Sequence, residues 1–220
     1  MILIPVKNLK HAKQRLALVL DQSARTQLAQ AMLTDVLETI NSWPNRPRVS
    51  LVTNDPFAVE LAHNFNYEVI PDTASQSETD AIEMATRVCE QHGAKFTLVL
   101  PGDIPLIKVP ELEQILQSAP PEGTVLVPSS DKRGTNAAYR RPCGLFPLRF
   151  GNDSFRPHVA AAHLTGEPCT VLSLPGIALD IDTPSDLQQL AAAPGQTMSQ
   201  LLSRQWDLTA PPLAANENAR

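Results

Sequence analysis

Apolar residues in this chain fall in short runs separated by segments in which they recur every three or four positions. Ile2–Val6, Val49–Thr53, Tyr67–Ile70 and Phe96–Leu100 read as strands. Between them, helices are predicted near Ser23–Asn41, Pro56–Asn64 and Thr79–His92, and another near Pro110–Gln117 follows the fourth strand. Such repeated β-α-β order predicts a mostly parallel sheet covered on both faces, with ligands gathering at the carboxyl ends of the strands. After Gly123 the pattern loosens into a strand at Thr124–Pro128, a polar glycine-containing loop, a segment near Leu145–Phe150 and a helix near Phe155–Leu164. A strand at Cys169–Leu174 leads to ALDIDTPSDLQQL, where Thr183 and Pro184 have the form of an N-cap followed by proline at the first helical position. The expected domain is therefore residues 1–193. Residues 194–220 are expected to form a partly disordered tail carrying a small docked helix at Met198–Trp206.

Length and charge narrow the function classes. With 220 residues, 43% of them hydrophobic, the chain can build one domain with a substantial core. A formal net charge of −5 argues against a general nucleic-acid or anionic-membrane surface, and leaves room for a local basic site. The three cysteines, Cys89, Cys143 and Cys169, show no CxxC spacing and suggest neither a disulfide framework nor a zinc site. With no signal-peptide pattern and no membrane-length apolar run, the reading is a cytoplasmic protein.

The chemistry concentrates in a few stretches. IPVKNLKHAKQRL follows the first strand with Lys7, Lys10, Lys13 and Arg15 and no acid, a cluster suited to an anion but lacking the glycines of a Walker loop. VLPGDIPL ends the fourth strand with one carboxylate, Asp103, between Pro101 and Pro105; it is either a cap for the helix near Val109 or a ligand. In DID, Asp180 and Asp182 alternate with Ile181, so both acids can face one point while the isoleucine enters the core. Together with Asp103 they form a hard-oxygen set suited to magnesium; Asp186 is assigned to the cap of the last helix. DKRGTNAAY and RFGNDSFRPH each offer a glycine and small hydrogen-bonding side chains to an anionic acceptor, with Arg140, Arg149 and Arg156 nearby in sequence. The five histidines scatter and read as surface or packing residues. Cations and a metal set without a nucleophile–base pair fit nucleotidyl or phosphoryl transfer, where catalysis is mostly positioning and charge neutralisation.

In order and spacing, IPVKNLKHAKQRL, LPGDIPL, RGTNAAYRRP, FGNDSFRPH and DIDTPSDL resemble the guanylyltransferases of coenzyme F-420 biosynthesis over roughly Ile2–Leu190. That resemblance implies a three-layer α/β/α, Rossmann-like nucleotide-diphosphosugar transferase fold. It also implies joining of GTP to 2-phospho-L-lactate, phosphoenolpyruvate or 3-phospho-D-glycerate, with release of pyrophosphate. Carried onto this chain, it places Pro5, Val6, Lys7 and Lys13 on the GTP phosphates, with Lys7, Lys13 and Asp103 as catalytic residues and magnesium on Asp103, Asp180 and Asp182. Pro101 and Gly102 join the nucleotide side. Thr135 or Asn136, with Gly151 and Ser154, would contact the acceptor. Where many members carry a Gly-Leu-Asn-like stretch, this chain reads QSETDAIEMA, which offers Ser77, Glu78, Thr79 and Asp80; Ser77 and Thr79 are taken as the base contacts. The implied partners are GTP, the acid and the next enzyme of the pathway, and the implied state is a monomer or homodimer. Another nucleotidyltransferase, a metal-dependent nucleotide-sugar glycosyltransferase and an idle nucleotide-binding module remain alternatives.

Overall fold

Successive residues of a strand face opposite sides of a sheet, and the core divides accordingly. In a computed structural model, which describes residues 1–73, 77–151 and 153–206, Ile2, Ile4 and Val6 of β1 (Ile2–Val6) enter one apolar cluster and Leu3 enters another. The same alternation continues along β2 (Val49–Thr53), β4 (Thr97–Val99), β5 (Gly123–Pro128) and β6 (Thr135–Arg141). The first cluster is covered by α1 (Gln22–Ser42), α2 (Pro56–Asn64) and α4 (Val109–Gln117); the second lies under α3 (Glu78–Gln91) and α5 (Phe155–Leu164). With β3 (Glu68–Ile70) and β7 (Cys169–Val171), the seven strands lie in the order β3-β2-β1-β4-β6-β5-β7. Only β6 runs antiparallel to its neighbours. Because β2 and β4 leave β1 on opposite sides, the chain reverses direction across the sheet there, and a crevice opens above the ends of β1 and β4.

Three features depart from the sequence expectation. Residues 135–141, read as part of a loop, form β6 in the interior of the sheet between β4 and β5. The segment carries no apolar alternation because two alanines occupy its centre and Arg140 is buried within the fold, paired with Glu83 at 3.0 Å. The strand expected at 169–174 stops at Val171, and a helical turn, α6 (Pro175–Ala178), intervenes before the DID segment. DID itself lies outside the sheet. Beyond α7 (Pro184–Ala192), α8 (Met198–Gln205) packs on α1 and α7. Its first two amides, Met198 N and Ser199 N, donate to the buried Asp35 carboxylate at 2.9 Å each. Residues 207–220, most of the expected tail, lie outside the described residues.

Candidate active site

The loop leaving β1 is held by the next β-α unit. Asp55 caps α2 through one carboxylate oxygen, which accepts from Phe57 N and Ala58 N; its other oxygen accepts from Leu9 N at 3.0 Å. Between two short 3-10 turns, Leu9–His11 and Gln14–Leu16, Lys13 adopts left-handed backbone angles (φ 57°, ψ 41°). For a residue with a Cβ this costs roughly 1 kcal/mol, which its side-chain pairing offsets. The Lys13 ammonium donates to Asp103 Oδ2 at 2.5 Å and to Asp182 Oδ1 at 2.8 Å, and the side chain is only 7% exposed. Arg15 approaches Asp182 from outside, at 3.6 Å. Thus the central cation of the lysine loop faces the protein's own acids.

Asp103 reaches this point because Pro101-Gly102-Asp103 lies directly above β4. A Cβ on Gly102 would meet Leu33 Cδ1 at 3.0 Å, so the glycine lets the loop lie close against α1. Asp103 is not a helix cap: α4 begins at Val109 behind Lys108, whose amide donates to Glu111. Its carbonyl instead accepts from Ile181 N at 3.1 Å and pins the DID segment beside it. Ile181 is fully buried next to Leu16 and Leu187, so Asp180 and Asp182 turn to the cleft as the alternation predicts. Asp186 accepts from Thr183 N and Thr183 Oγ1 in the capping box of α7.

Burial pushes the Asp182 carboxyl upward, but Lys13 outweighs it and the net shift is downward. Lys13 is held well above the ordinary ammonium range: burial opposes its charge, and the two aspartates more than compensate. Asp180 is pushed up, first by burial and further by Asp103 and Asp182, against a hydrogen bond from Asn136. That Asn136 amide nitrogen lies 3.0 Å from Asp180 Oδ1, 3.0 Å from Ile177 O and 3.1 Å from Ala178 O, joining β6 to the DID arm.

The cleft, of about 610 Å³, is lined by Thr135, Asn136, Gly151 and Ser154 together with Asp103, Asp180 and Asp182, and Asn136 joins the two groups through its contact with Asp180. Gly151 takes φ 124°, a conformation suited to glycine. Arg133 forks onto Asp153 at the mouth, at 2.6 and 3.1 Å. An adjoining cavity of about 310 Å³ is lined by Pro5, Val6, Lys7, Lys13, Pro101 and Gly102. Both share Glu78, Pro101 and Asp103. Of the QSETDAIEMA stretch, Glu78 lines the cleft and Ser77 and Thr79 do not. The Ser77 hydroxyl caps α3, and Thr79 Oγ1 accepts from Phe150 N at 2.9 Å, tying α3 to the loop that carries Gly151. Arg140 serves the core, and Arg149 and Arg156 are exposed away from the cleft lining.

Two contributors, Asp55 and His158, were not singled out by sequence, and two more, Arg133 and Glu78, lie in the quoted stretches without a role having been assigned to them. Asp55 is placed only by the fold, and Arg133 lies within DKRGTNAAY, where the glycine and hydroxyl drew the reading instead. The Glu78 carboxyl is pushed up to about 7, by the protein atoms crowding it and then by Asp103, although the residue itself is exposed at its surface. His158 is buried behind Thr135, and the period-3.6 inward face of α5 was its only sequence signal. Among the described residues no helix is long and apolar enough to cross a membrane. Among them, too, no three His, Cys, Asp or Glu are grouped closely enough to hold a metal ion; Lys13 stands between Asp103 and Asp182.

Residues 1–214 match the family model for CofC-like guanylyl transferases. A phosphoenolpyruvate guanylyltransferase from Chloroflexus aggregans is 34% identical over 196 residues, covering 87% of this chain and 96% of that one. A 3-phospho-D-glycerate guanylyltransferase from Colwellia psychrerythraea is 32% identical over 190 residues, covering 86% and 90%. In three dimensions the chain is similar to a candidate nucleotide-diphospho-sugar transferase from Desulfovibrio desulfuricans, with a TM-score of 0.77 at 16% identity and 93% of each chain covered. It is also similar to CMP:2-keto-3-deoxy-manno-octonic acid synthetase, with a TM-score of 0.58 at 15% identity, covering 93% and 98%. The fold is thus that of the nucleotide-diphospho-sugar transferases and cytidylyltransferases, and the chain belongs to the CofC-like guanylyl transferases.

Proposed function

We propose that this guanylyl transferase joins GTP to a small phosphorylated three-carbon acid, such as phosphoenolpyruvate, 3-phospho-D-glycerate or 2-phospho-L-lactate, with release of pyrophosphate. The observation that carries this reading is the meeting of a lysine loop, a carboxylate arm and a hydroxyl-lined wall at one cleft above β1 and β4. The names of the relatives support the substrate class. Pro5, Val6, Lys7, Lys13, Pro101 and Gly102 line the side assigned to the nucleotide; Thr135, Asn136, Gly151 and Ser154 line the side assigned to the acceptor.

A phosphate monoester has its second pKa at about 6, so near neutral pH the acceptor arrives as its own nucleophile and no general base is needed to attack the α-phosphorus in line. Lys7 and Lys13 stabilise charge growing on the departing pyrophosphate. The donor chemistry of Asp103, Asp180 and Asp182 fits magnesium: all are hard oxygens, and a cation already bridges two of them in the form of the Lys13 ammonium. Asp103, Asp180 and Asp182 would hold the ion, which would supply charge to offset repulsion between the two phosphates. With the aspartates so occupied, the Lys13 ammonium would be free to face the triphosphate.

The test is pyrophosphate release by purified protein with each nucleoside triphosphate and each acid in turn, with magnesium or with chelator, coupled to an enzyme that consumes the product. GTP with one of the three acids is expected to react only with the divalent ion present, and Asp103→Asn to lose turnover while remaining folded by circular dichroism. No pyrophosphate from any pair, or full activity in Asp103→Asn, rejects the reading.

A further inference from the structure

On the reading that Thr135 faces the acceptor, we infer that His158 is a positioning residue that fixes the Thr135 hydroxyl as a hydrogen-bond donor into the cleft. The geometry leaves little freedom. The backbone N–H of Arg149 donates to His158 Nε2 at 2.7 Å, and a backbone amide cannot reverse its role. A neutral imidazole has one donor and one acceptor nitrogen, so with Nε2 accepting, Nδ1 carries the hydrogen. Nδ1 lies 2.8 Å from Thr135 Oγ1 and therefore donates to it. Ser154 Oγ donates to the same oxygen at 3.4 Å. With both lone pairs of Thr135 Oγ1 occupied, its own hydrogen is directed to a third partner, and Thr135 lines the cleft. A hydroxyl in this state recognises an oxygen that accepts, most strongly that of an ionised carboxylate or phosphate, and discriminates against a group that can only donate at that point.

The surroundings keep the ring neutral and still. His158 is 1% exposed, packs edge-on against Phe150 with centroids 5.3 Å apart, and has the Arg140 guanidinium near enough to disfavour a second positive charge. Its ordinary titration is displaced downward to about 4, by burial first and Arg140 second. The sequence offered no reason to separate this histidine from the four others. Its role comes from the order of donors along Arg149 N–H, imidazole and hydroxyl.

Nitrogen-15 NMR of the imidazoles in the full chain tests the premise directly: a neutral ring protonated at Nδ1 is expected for His158, and protonation at Nε2 overturns the inference. Kinetics test the consequence, with pyrophosphate release measured against phosphoenolpyruvate and 3-phospho-D-glycerate at saturating GTP. Thr135→Val is expected to raise the acceptor KM about tenfold or more, the scale of one hydrogen bond to a charged group. His158→Phe, which fills the apolar pocket without a donor, is expected to raise the acceptor KM comparably while the KM for GTP stays within about twofold; this is the split that a donor acting only on the acceptor requires. His158→Asn, whose amide nitrogen stands near the place of Nδ1, is expected to recover most of the loss, and Thr135→Val with His158→Phe to be no worse than Thr135→Val alone. An unchanged acceptor KM in Thr135→Val rejects the acceptor reading of this wall. A raised KM in Thr135→Val with an unchanged one in His158→Phe, additive effects in the double variant, or equal loss in Asn and Phe variants overturns the role of His158 while leaving that reading intact.

Discussion

Replacing Lys13 with methionine keeps an unbranched stem of similar length and removes an ammonium that lies 2.5 Å from Asp103 and 2.8 Å from Asp182. What remains is a set of neighbouring carboxylates with Arg15, 3.6 Å from Asp182, as the nearest paired cation. Removing one member of a fully buried ion pair costs about 3–5 kcal/mol. Asp103 and Asp182 retain 28% and 39% of their side-chain surface, so water screens part of the repulsion and about 2 kcal/mol is the expected loss. In a domain of this length that lowers the unfolding midpoint by about 4–8 °C. The sign with pH follows from both partners. Lys13, shifted up, contributes stability present below its unfolded pKa and lost only as pH rises through the folded one; Asp182, shifted down, contributes stability present above its unfolded pKa and lost as pH falls. The difference between wild type and Lys13→Met is therefore constant across the neutral range and shrinks in acid below about pH 4. Calorimetric scans of Lys13→Met, Asp182→Asn and the double variant measure it, with a coupling of about 1 kcal/mol or more expected because the second change relieves the repulsion left by the first. Equal midpoints for wild type and Lys13→Met, or strict additivity in the cycle, refute the electrostatic account of this triad.

Two further outcomes are expected. Because the His158 ring titrates near 4 when folded and near its ordinary 6.5 when unfolded, the unfolded chain binds the extra proton more readily; stability rises with pH across that window and is fully present above it. At 1.36 kcal/mol per unit the swing is about 3 kcal/mol, and urea titrations should show it in wild type and not in His158→Asn; parallel pH profiles would exclude it. Asp35→Ala removes the acceptor for Met198 N and Ser199 N from beneath α8, and should cost about 2 kcal/mol and expose amides 198–205 to rapid hydrogen exchange, against unchanged protection if the helix docks by apolar contact alone.

The three-layer fold was legible because its parallel strands are continuous apolar runs and its helices are periodic; each signal is local. β6 was not legible, because a strand in the middle of a sheet owes its state to neighbours on both sides. Ala137, Ala138 and Arg140 carry no strand preference, and they are strand residues because β4 and β5 offer ladders on either flank. The site divides in the same way. Asp103, Asp180 and Asp182 could be read because each sits in a short motif, between prolines or alternating with a core isoleucine. Glu78 and His158 belong to ordinary helical segments, and only the packing of α3 and α5 around the cleft gives them a chemical context. Thr79 shows the converse: a hydroxyl beside the cleft in sequence serves the loop at Phe150 in space.

The placement of Lys13 also reshapes the meaning of the lysine loop. Residues 7–15 look, as a sequence, like four cations awaiting an anion, yet the most buried of them is already paired with Asp103 and Asp182. Around the shared rim, Glu78, Asp103, Asp180 and Asp182 stand against Lys7, Lys13 and Arg15, so the cleft has no surplus of positive charge with which to draw in two phosphorylated molecules. Attraction for anions at this rim therefore depends on how the acids are paired, and not on the lysines alone. Within the site, the Lys13 ammonium offsets the repulsion between Asp103 and Asp182 and holds the two carboxylates together.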